Sequence, residues 1–165
     1  MTGKLMCAAL VGATLGWMSV TVWAGPPDRK DFLSDAIKGD NSEIRLGQLA
    51  ARHGGSSGVR EYGRTLVTDH TKAKAQASDV ARQIGVEPPS GAMLKADVEY
   101  AKLRVLSGKS FDREFVGYMV DDHKKDIRDF SEMAKSHNGA VGDLAEKQLP
   151  ALRKHLRMAE SLMQS

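Results

Sequence analysis

The chain has 165 residues, a formal net charge of +3 and one cysteine, Cys7. Acidic and basic residues alternate along it, without the basic block or interleaved aromatic residues of a nucleic-acid surface, so we expect no nucleic-acid partner. The sequence has no Cys-x-x-Cys-His motif and no glycine-rich phosphate loop, so we expect neither covalent haem nor a bound nucleotide.

Residues 1–24 have the pattern of a signal peptide. Lys4 is their only charged residue, an apolar run follows, and Val22-Trp23-Ala24 fits the small-x-small rule for cleavage. Cleavage after Ala24 would export residues 25–165 to the periplasm without the cysteine. The alternative is that the leader is not cleaved and serves as a membrane anchor, because its apolar run approaches the roughly 18 to 20 apolar residues that span a bilayer. That anchor would be the chain's membrane contact.

Residues 25–165 predict one all-helical domain, because their apolar residues recur every three or four positions. Glycine and proline clusters divide them into five helical segments, at about residues 29–53, 58–84, 92–106, 111–136 and 140–163. Ser56 or Ser57 is expected to cap the second segment and Ser110 the fourth, while Gly39 and Pro150 are expected kinks.

Short turns should make segments one and two one antiparallel hairpin, and segments four and five another. The third segment then becomes a crossover that covers one end or side of a four-helix bundle. We expect its apolar face to be the one formed by Leu94, Val98, Ala101 and Val105. Residues 61–85 also align without gaps on residues 114–138, which predicts two helix pairs of common plan.

Four of the predicted inward stripes each carry a residue that can bind a metal: Glu43, His70, His123 and His155. With a rise of about 1.5 Å per residue, reflection through the two turns brings these positions to similar heights in the bundle. Three imidazoles and one carboxylate suit one ion of zinc, copper, iron or nickel. The alternative is a buried polar network in which Glu43 pairs with a protonated histidine.

The aspartates near the histidines receive separate interpretations. Asp69 and Asp122 precede His70 and His123 by one residue, about 100° around the helix, and are interpreted as flanking residues. Asp126 is better aimed and is a candidate hydrogen-bond partner for an imidazole N–H, with a solvated charge as the equal alternative. No Glu-x-x-His occurs, which argues against a carboxylate-bridged di-iron site.

Several elements resemble a known family. They are Glu43 within Phe32 to Ala50, Thr68-Asp69-His70, Gly108-Lys109-Ser110-Phe111-Asp112, Asp122-His123, and Leu149-Pro150 with His155. The sequence resembles the bacterial domain-of-unknown-function family 4142, described as predicted exported or outer-membrane proteins. The resemblance implies export and a ferritin-like antiparallel four-helix bundle with a short extra crossover helix.

The leading hypothesis is a periplasmic bundle that binds one transition metal ion for metal handling or envelope-stress protection. The alternative is a metal-free structural or interaction module of the cell envelope, and a weaker one is a ferritin-like oxidase. Metal binding is favoured over an enzymatic activity, because the chain lacks the number of metal-ligating residues that a ferritin has.

Overall fold

The structure is a computed structural model that describes residues 28–164, so the leader prediction lies outside the described residues. Within that range the chain is helical, without strands. Its helices are α1 (Arg29–His53), α2 (Ser57–Gln83), α3 (Leu94–Leu103), α4 (Gly108–Ser136) and α5 (Ala140–Met163). The all-helical prediction is confirmed, and the bounds of α1 and α5 are those expected.

The long helices form an antiparallel four-helix bundle made of two hairpins. The pairs α1 with α2 and α4 with α5 pack closely, and α2 packs against α5. The connection from α2 to α4 runs back along the length of the bundle and contains α3, which lies against α1 and α4. One long crossover between two hairpins is the arrangement of ferritin-like bundles. Within residues 28–164, no helix is long and apolar enough to cross a membrane.

Side chains cap the starts of α1 and α2 but not those of α3, α4 and α5. Ser56 caps α2 by accepting a hydrogen bond from Val59 N at 3.2 Å. The predicted cap at Ser110 is wrong, because α4 already begins at Gly108 and its N-cap is Ser107. Neither Gly39 nor Pro150 interrupts its helix.

The expected inward face of α3 is also wrong. Leu94, Val98 and Val105 are 78%, 64% and 84% exposed, whereas α3 buries Ala96, Glu99 and Leu103. The helix is held by polar contacts as well as apolar ones. Arg45 of α1 pairs with Asp97 and places its guanidinium 3.9 Å from the ring centre of Tyr100. Met93 and Tyr100 also pack against the core beside Ala96 and Leu103, so the rotation of α3 follows a second apolar stripe and not the predicted one.

The core of the bundle is divided into two apolar clusters. One, near the α1–α2 turn, includes Leu46, Leu66 and Phe115, and the other, near the α4–α5 turn, includes Leu33 and Met133. Buried polar residues lie between the clusters, on all four long helices: Asp40, Ser42, Glu43, His70, Asp122, His123, Gln148 and His155. The middle of the bundle is therefore a polar layer that separates two ordinary hydrophobic cores.

The hairpin of α1 and α2 depends on a close approach of the two backbones. A Cβ atom added at Gly47 would lie 2.8 Å from the carbonyl oxygen of Gly63, and one at Gly63 would lie 2.6 Å from that of Gly47. Backbone atoms in packed helices cannot move aside cheaply. Both positions therefore require glycine.

We expect Gly47→Ala to lower the free energy of unfolding by about 1 to 3 kcal/mol, because the methyl group overpacks the contact between the helices. Gly39→Ala on the same helix is the control. A Cβ there has nothing within 4 Å, so better helix propensity should stabilise that variant by up to about 1 kcal/mol. Urea unfolding measures both, and a Gly47→Ala protein as stable as wild type would contradict the packing.

Candidate metal centre

The four residues predicted as metal ligands meet midway along the bundle. Glu43, His70, His123 and His155 come from α1, α2, α4 and α5, and their exposures are 1%, 3%, 0% and 1%. The ring centres of the histidines form a nearly equilateral triangle with sides of 5.1, 5.3 and 5.8 Å. One nitrogen from each ring lies within 4.8 Å of the others. Helical rise and turn length had predicted this convergence.

The Glu43 carboxylate faces two of the three rings. Its Oε2 atom lies 2.8 Å from His70 Nε2, and its Oε1 atom lies 3.3 Å from His123 Nδ1. The contact to His70 Nε2 lacks the alignment of a hydrogen bond, and both His70 Nε2 and Glu43 Oε1 remain without a hydrogen-bond partner. The carboxylate therefore lies close to both imidazoles, but its Oε1 atom accepts a hydrogen bond from neither.

Each imidazole has one ring nitrogen held by an acceptor. These three contacts are His70 Nδ1 with Asp40 Oδ1 at 2.8 Å, His123 Nδ1 with the Met119 carbonyl oxygen at 3.0 Å, and His155 Nε2 with Asp69 Oδ2 at 2.9 Å. In each case the nitrogen donates its hydrogen, because a carbonyl or carboxylate oxygen can only accept. The acceptor fixes both the orientation of the ring and the position of its proton.

The second nitrogen of each ring has no partner. His70 Nε2, His123 Nε2 and His155 Nδ1 are all buried without a hydrogen bond. Buried polar atoms are nearly always paired, so three orphaned nitrogens in one layer require an explanation. An imidazole with one nitrogen donating to a carboxylate or carbonyl and the other left open is the usual form of a metal-binding histidine.

Asp40 was not among the residues predicted from the sequence, and the interpretation of Asp69 as a flanking residue is wrong. Asp40 is 6% exposed and lies on the buried face of α1, three residues before Glu43. Asp69 was interpreted as a flanking residue because it points away from His70, but it meets His155 of another helix, and Lys154 also contacts it at 3.1 Å. The direction of the Asp69 side chain on α2 does not show which side chains of another helix it contacts. The contact with His155 follows only from the packing of α2 against α5.

The interpretation of Asp122 as a flanking residue is also wrong, while the role of Asp126 as a partner of an imidazole stays a prediction. Asp122 is 5% exposed and pairs with Lys95 of α3. Asp126 lies with Asp122 and Glu43, an oxygen from each being within 4.8 Å of the others. Since every imidazole has a different acceptor, the structure places Asp126 in a carboxylate group beside the histidines.

Glu43, His70 and His155 of this layer differ in their ionisation. Burial opposes a charge on His70, but the nearby charge of Glu43 and the hydrogen bond to Asp40 raise its pKa well above the usual value. Burial, followed by the positive charge of His70, lowers the pKa of His155 to about 4. Burial would raise the pKa of Glu43, but the three histidines together, His70 most of all, outweigh it and lower that pKa to about 2. At neutral pH and without an ion, His70 is a cation, Glu43 an anion and His155 neutral.

A cavity of about 70 Å³ reaches this layer. Its walls include Asp40, Glu43, His70 and His155, and its other side is formed by residues of α3 and α4 such as Lys95. A space of this size holds an ion or a few waters rather than an organic ligand. The cavity therefore brings a small solute up to Glu43, His70 and His155, whereas His123 does not line it.

We expect the histidines to titrate far apart in the protein stripped of metal. The ring of His155 should stay neutral, with its proton on Nε2, until the pH falls to about 4. His70 should remain protonated on both nitrogens through pH 7, because its pKa is raised. Long-range ¹⁵N–¹H NMR spectra of the ring nitrogens measure both. Rings that titrate together near pH 6.5 would contradict these environments.

Comparisons with known proteins agree with the fold. The chain is similar to the crystal structure of a DUF305 fragment from Deinococcus radiodurans, with a TM-score of 0.73 and 16% identity over 83% of this chain and 95% of that one. At that identity the likeness shows a shared helical fold. A search of the curated proteins finds no match. The family model described as "Domain of unknown function (DUF4142)" matches residues 23–162. The chain therefore belongs to the DUF4142 family.

Proposed function

We propose that this protein is an exported, periplasmic helical bundle that binds one transition metal ion in its core through Glu43, His70, His123 and His155. Its role would be metal handling or protection of the envelope against stress. Export is supported by the pattern of residues 1–24, with one charge ahead of an apolar run and a small-x-small site.

One observation carries the proposal of metal binding: the three buried imidazoles each have one nitrogen held by an acceptor and one without any partner. A layer built only for stability would pair its polar atoms, because each unsatisfied buried group costs about 1 to 3 kcal/mol. An ion bound at these nitrogens would take the place of the second proton of His70 and would give the open nitrogens of His123 and His155 a partner.

The donor chemistry limits the kind of ion. Three imidazole nitrogens and one carboxylate oxygen suit zinc, copper, iron or nickel, whereas calcium and magnesium prefer oxygen donors. Four protein donors fill the coordination shell of a tetrahedral structural site, while catalytic sites usually keep a position open. The donor count therefore favours holding an ion over turning over a substrate.

A metal-free structural module is the second candidate, and the charges of Glu43 and His70 favour it. The carboxylate and the protonated ring are 2.8 Å apart and support each other's ionised form. Such a pair would hold α1 and α2 in register. It accounts for those two residues, but it leaves the open nitrogens of His123 and His155 unexplained.

We expect the protein purified from the periplasmic fraction to bind one Co²⁺ or Zn²⁺ per chain, and Co²⁺ to show the visible absorption of a site with few ligands. His70→Ala and His123→Ala should each weaken binding by more than the roughly 10- to 100-fold that loss of a ligand's hydrogen-bond partner costs. At a free-ion concentration 100 times the Kd, wild type should gain about 2.7 kcal/mol of stability, and a chelator should reverse the gain.

His53→Ala is the control for these variants, because His53 is exposed at the end of α1. Its affinity and Co²⁺ spectrum should equal those of wild type. Metal bound in less than one equivalent, and to the same extent by His70→Ala and wild type, would refute the site and favour the metal-free module.

We expect Asp69→Asn to keep one bound ion but to lower the affinity by about 10- to 100-fold, because the acceptor that orients His155 is weakened. Asp79→Asn is the matched control on the same helix, since Asp79 is exposed and pairs with Arg82. Isothermal titration with Zn²⁺ measures both variants. Equal affinities would show that the contact between Asp69 and His155 does not serve metal binding.

A further inference from the structure

The cavity that reaches the candidate metal centre continues to the surface between α1 and α4. At its buried end it is lined by Glu43, His70 and His155, which are 1%, 3% and 1% exposed. Its outer part, the α1–α4 groove, is lined by residues that are exposed or partly exposed: Asp35, Ala36 and Gly39 of α1, and Lys125, Asp126 and Asp129 of α4. The groove therefore joins the solvent to the ligands inside the bundle.

The groove exists because α1 presents small residues to it. Ala36 and Gly39 line it, and a Cβ atom added at Gly39 would meet nothing within 4 Å. Along its length α1 packs much less closely against α4 than against α2. Toward the α4–α5 turn the space ends at the rings of Phe32 and Phe130, which meet edge to face with their centres 4.8 Å apart. A closely packed helix pair would leave no such opening.

The crossover bounds the cavity at its other end. The backbone N–H of Met93 donates to Ser42 Oγ of α1 at 2.9 Å, and Lys95 pairs with Asp122 of α4. All four residues line the cavity. Residues 93–95 therefore bridge α1 and α4 at the height of the metal ligands and fix the separation of the two helices there.

The charge of the lining favours a cation over an anion. Seven of the residues that line the cavity are aspartate or glutamate, against two lysines and the protonated His70. At the outer end Asp35 is exposed and Asp129 partly exposed, and Lys125 pairs with Asp129. A cleft lined mainly by one sign of charge concentrates counter-ions and raises their association rate by roughly 10 to 1,000 times.

The buried end of the cavity offers open donor atoms. His70 Nε2 and His155 Nδ1 are buried without a hydrogen-bond partner, and both residues line the cavity. Glu43 lines it as well, whereas His123 does not. An ion that moves along the groove therefore reaches ligands on α1, α2 and α5 before it reaches the ligand on α4.

We propose that the metal ion enters and leaves its site through the α1–α4 groove, and that the acidic lining of the cavity favours cations for entry. This inference rests on the proposed function, because it names the path to that site. It assigns a role to Gly39 and Asp129, which lie outside the set of proposed ligands. Gly39 keeps the path wide, and Asp129 supplies negative charge at its outer end.

Gly39→Leu tests the path, because the added side chain would fill the groove and leave the ligands in place. Stopped-flow absorption measures the association of Co²⁺, and displacement by a chelator measures its dissociation. Both rates should fall about tenfold or more while the Kd stays within about twofold, since a blocked path slows entry and exit alike. Gly117→Leu is the matched control and should change neither rate. A Cβ there also meets nothing within 4 Å, but Gly117 does not line the cavity.

Asp129→Lys tests the charge of the path. In 0.1 M salt the association rate of Co²⁺ should fall about tenfold, and the loss should vanish in 1 M salt, where the screening length is only about 3 Å. Glu61→Lys is the control, because Glu61 is also half of a surface ion pair, with Arg64. It lies nine residues from His70, or roughly 13 Å along α2, which exceeds the screening length of about 10 Å in 0.1 M salt.

A measurement without metal separates this inference from the proposed function. In a Cys7→Ser background, Gly39→Cys or Gly117→Cys introduces a single thiol. The ratio of the reaction rate with a cationic methanethiosulfonate reagent to that with an anionic one should be about tenfold higher at position 39 than at position 117.

Equal effects of Gly39→Leu and Gly117→Leu on the Co²⁺ rates would overturn the path, as would a change confined to dissociation. Equal rate ratios for the two thiols, or equal slowing by Asp129→Lys and Glu61→Lys, would overturn the preference for cations. If wild type binds no Co²⁺ but the thiol ratios still differ, the proposed function falls and the groove stands as an opening that favours cations. If the ratios are also equal, both proposals fall.

Discussion

The burial of the Glu43 carboxylate is the constraint on which the middle of this bundle depends. A charged group that is 1% exposed is stable only beside positive charge or strong hydrogen-bond donors. The bundle provides His70 and His123 on opposite sides of it, and then needs Asp40 to hold the protonated His70. The burial of this one carboxylate midway along the bundle therefore requires polar residues on three helices, α1, α2 and α4.

The cost of this layer argues against a purely structural purpose. Apolar side chains of similar volume would have joined the two hydrophobic clusters into one continuous core, and replacing buried ion pairs in this way is often neutral or stabilising. The layer instead divides the core and leaves buried nitrogen and oxygen atoms unpaired. Stability alone does not explain the layer, whereas the metal ion proposed above would.

The helices and the four central residues were predictable, because both follow from local geometry. Apolar periodicity and glycine breaks define the helices, and a constant rise per residue places Glu43, His70, His123 and His155 at one height. The contact between the rings of Tyr62 and Phe115, equivalent positions in the internal repeat, agrees with helix pairs of common plan. These features need no knowledge of how the helices rotate against one another.

The failures in α3 and around the histidines have a common cause, since each depended on how a helix packs against its neighbours. The inward face of α3 was misassigned because α3 has two apolar stripes, one with Leu94 and Val98 and one with Ala96 and Leu103, and only the second packs into the core. Asp40 was missed because the buried face of α1 is wider than one stripe and includes Asp40 as well as Glu43 and Gly47. Asp69 acts on a ring of another helix, and no pattern within α2 could indicate that.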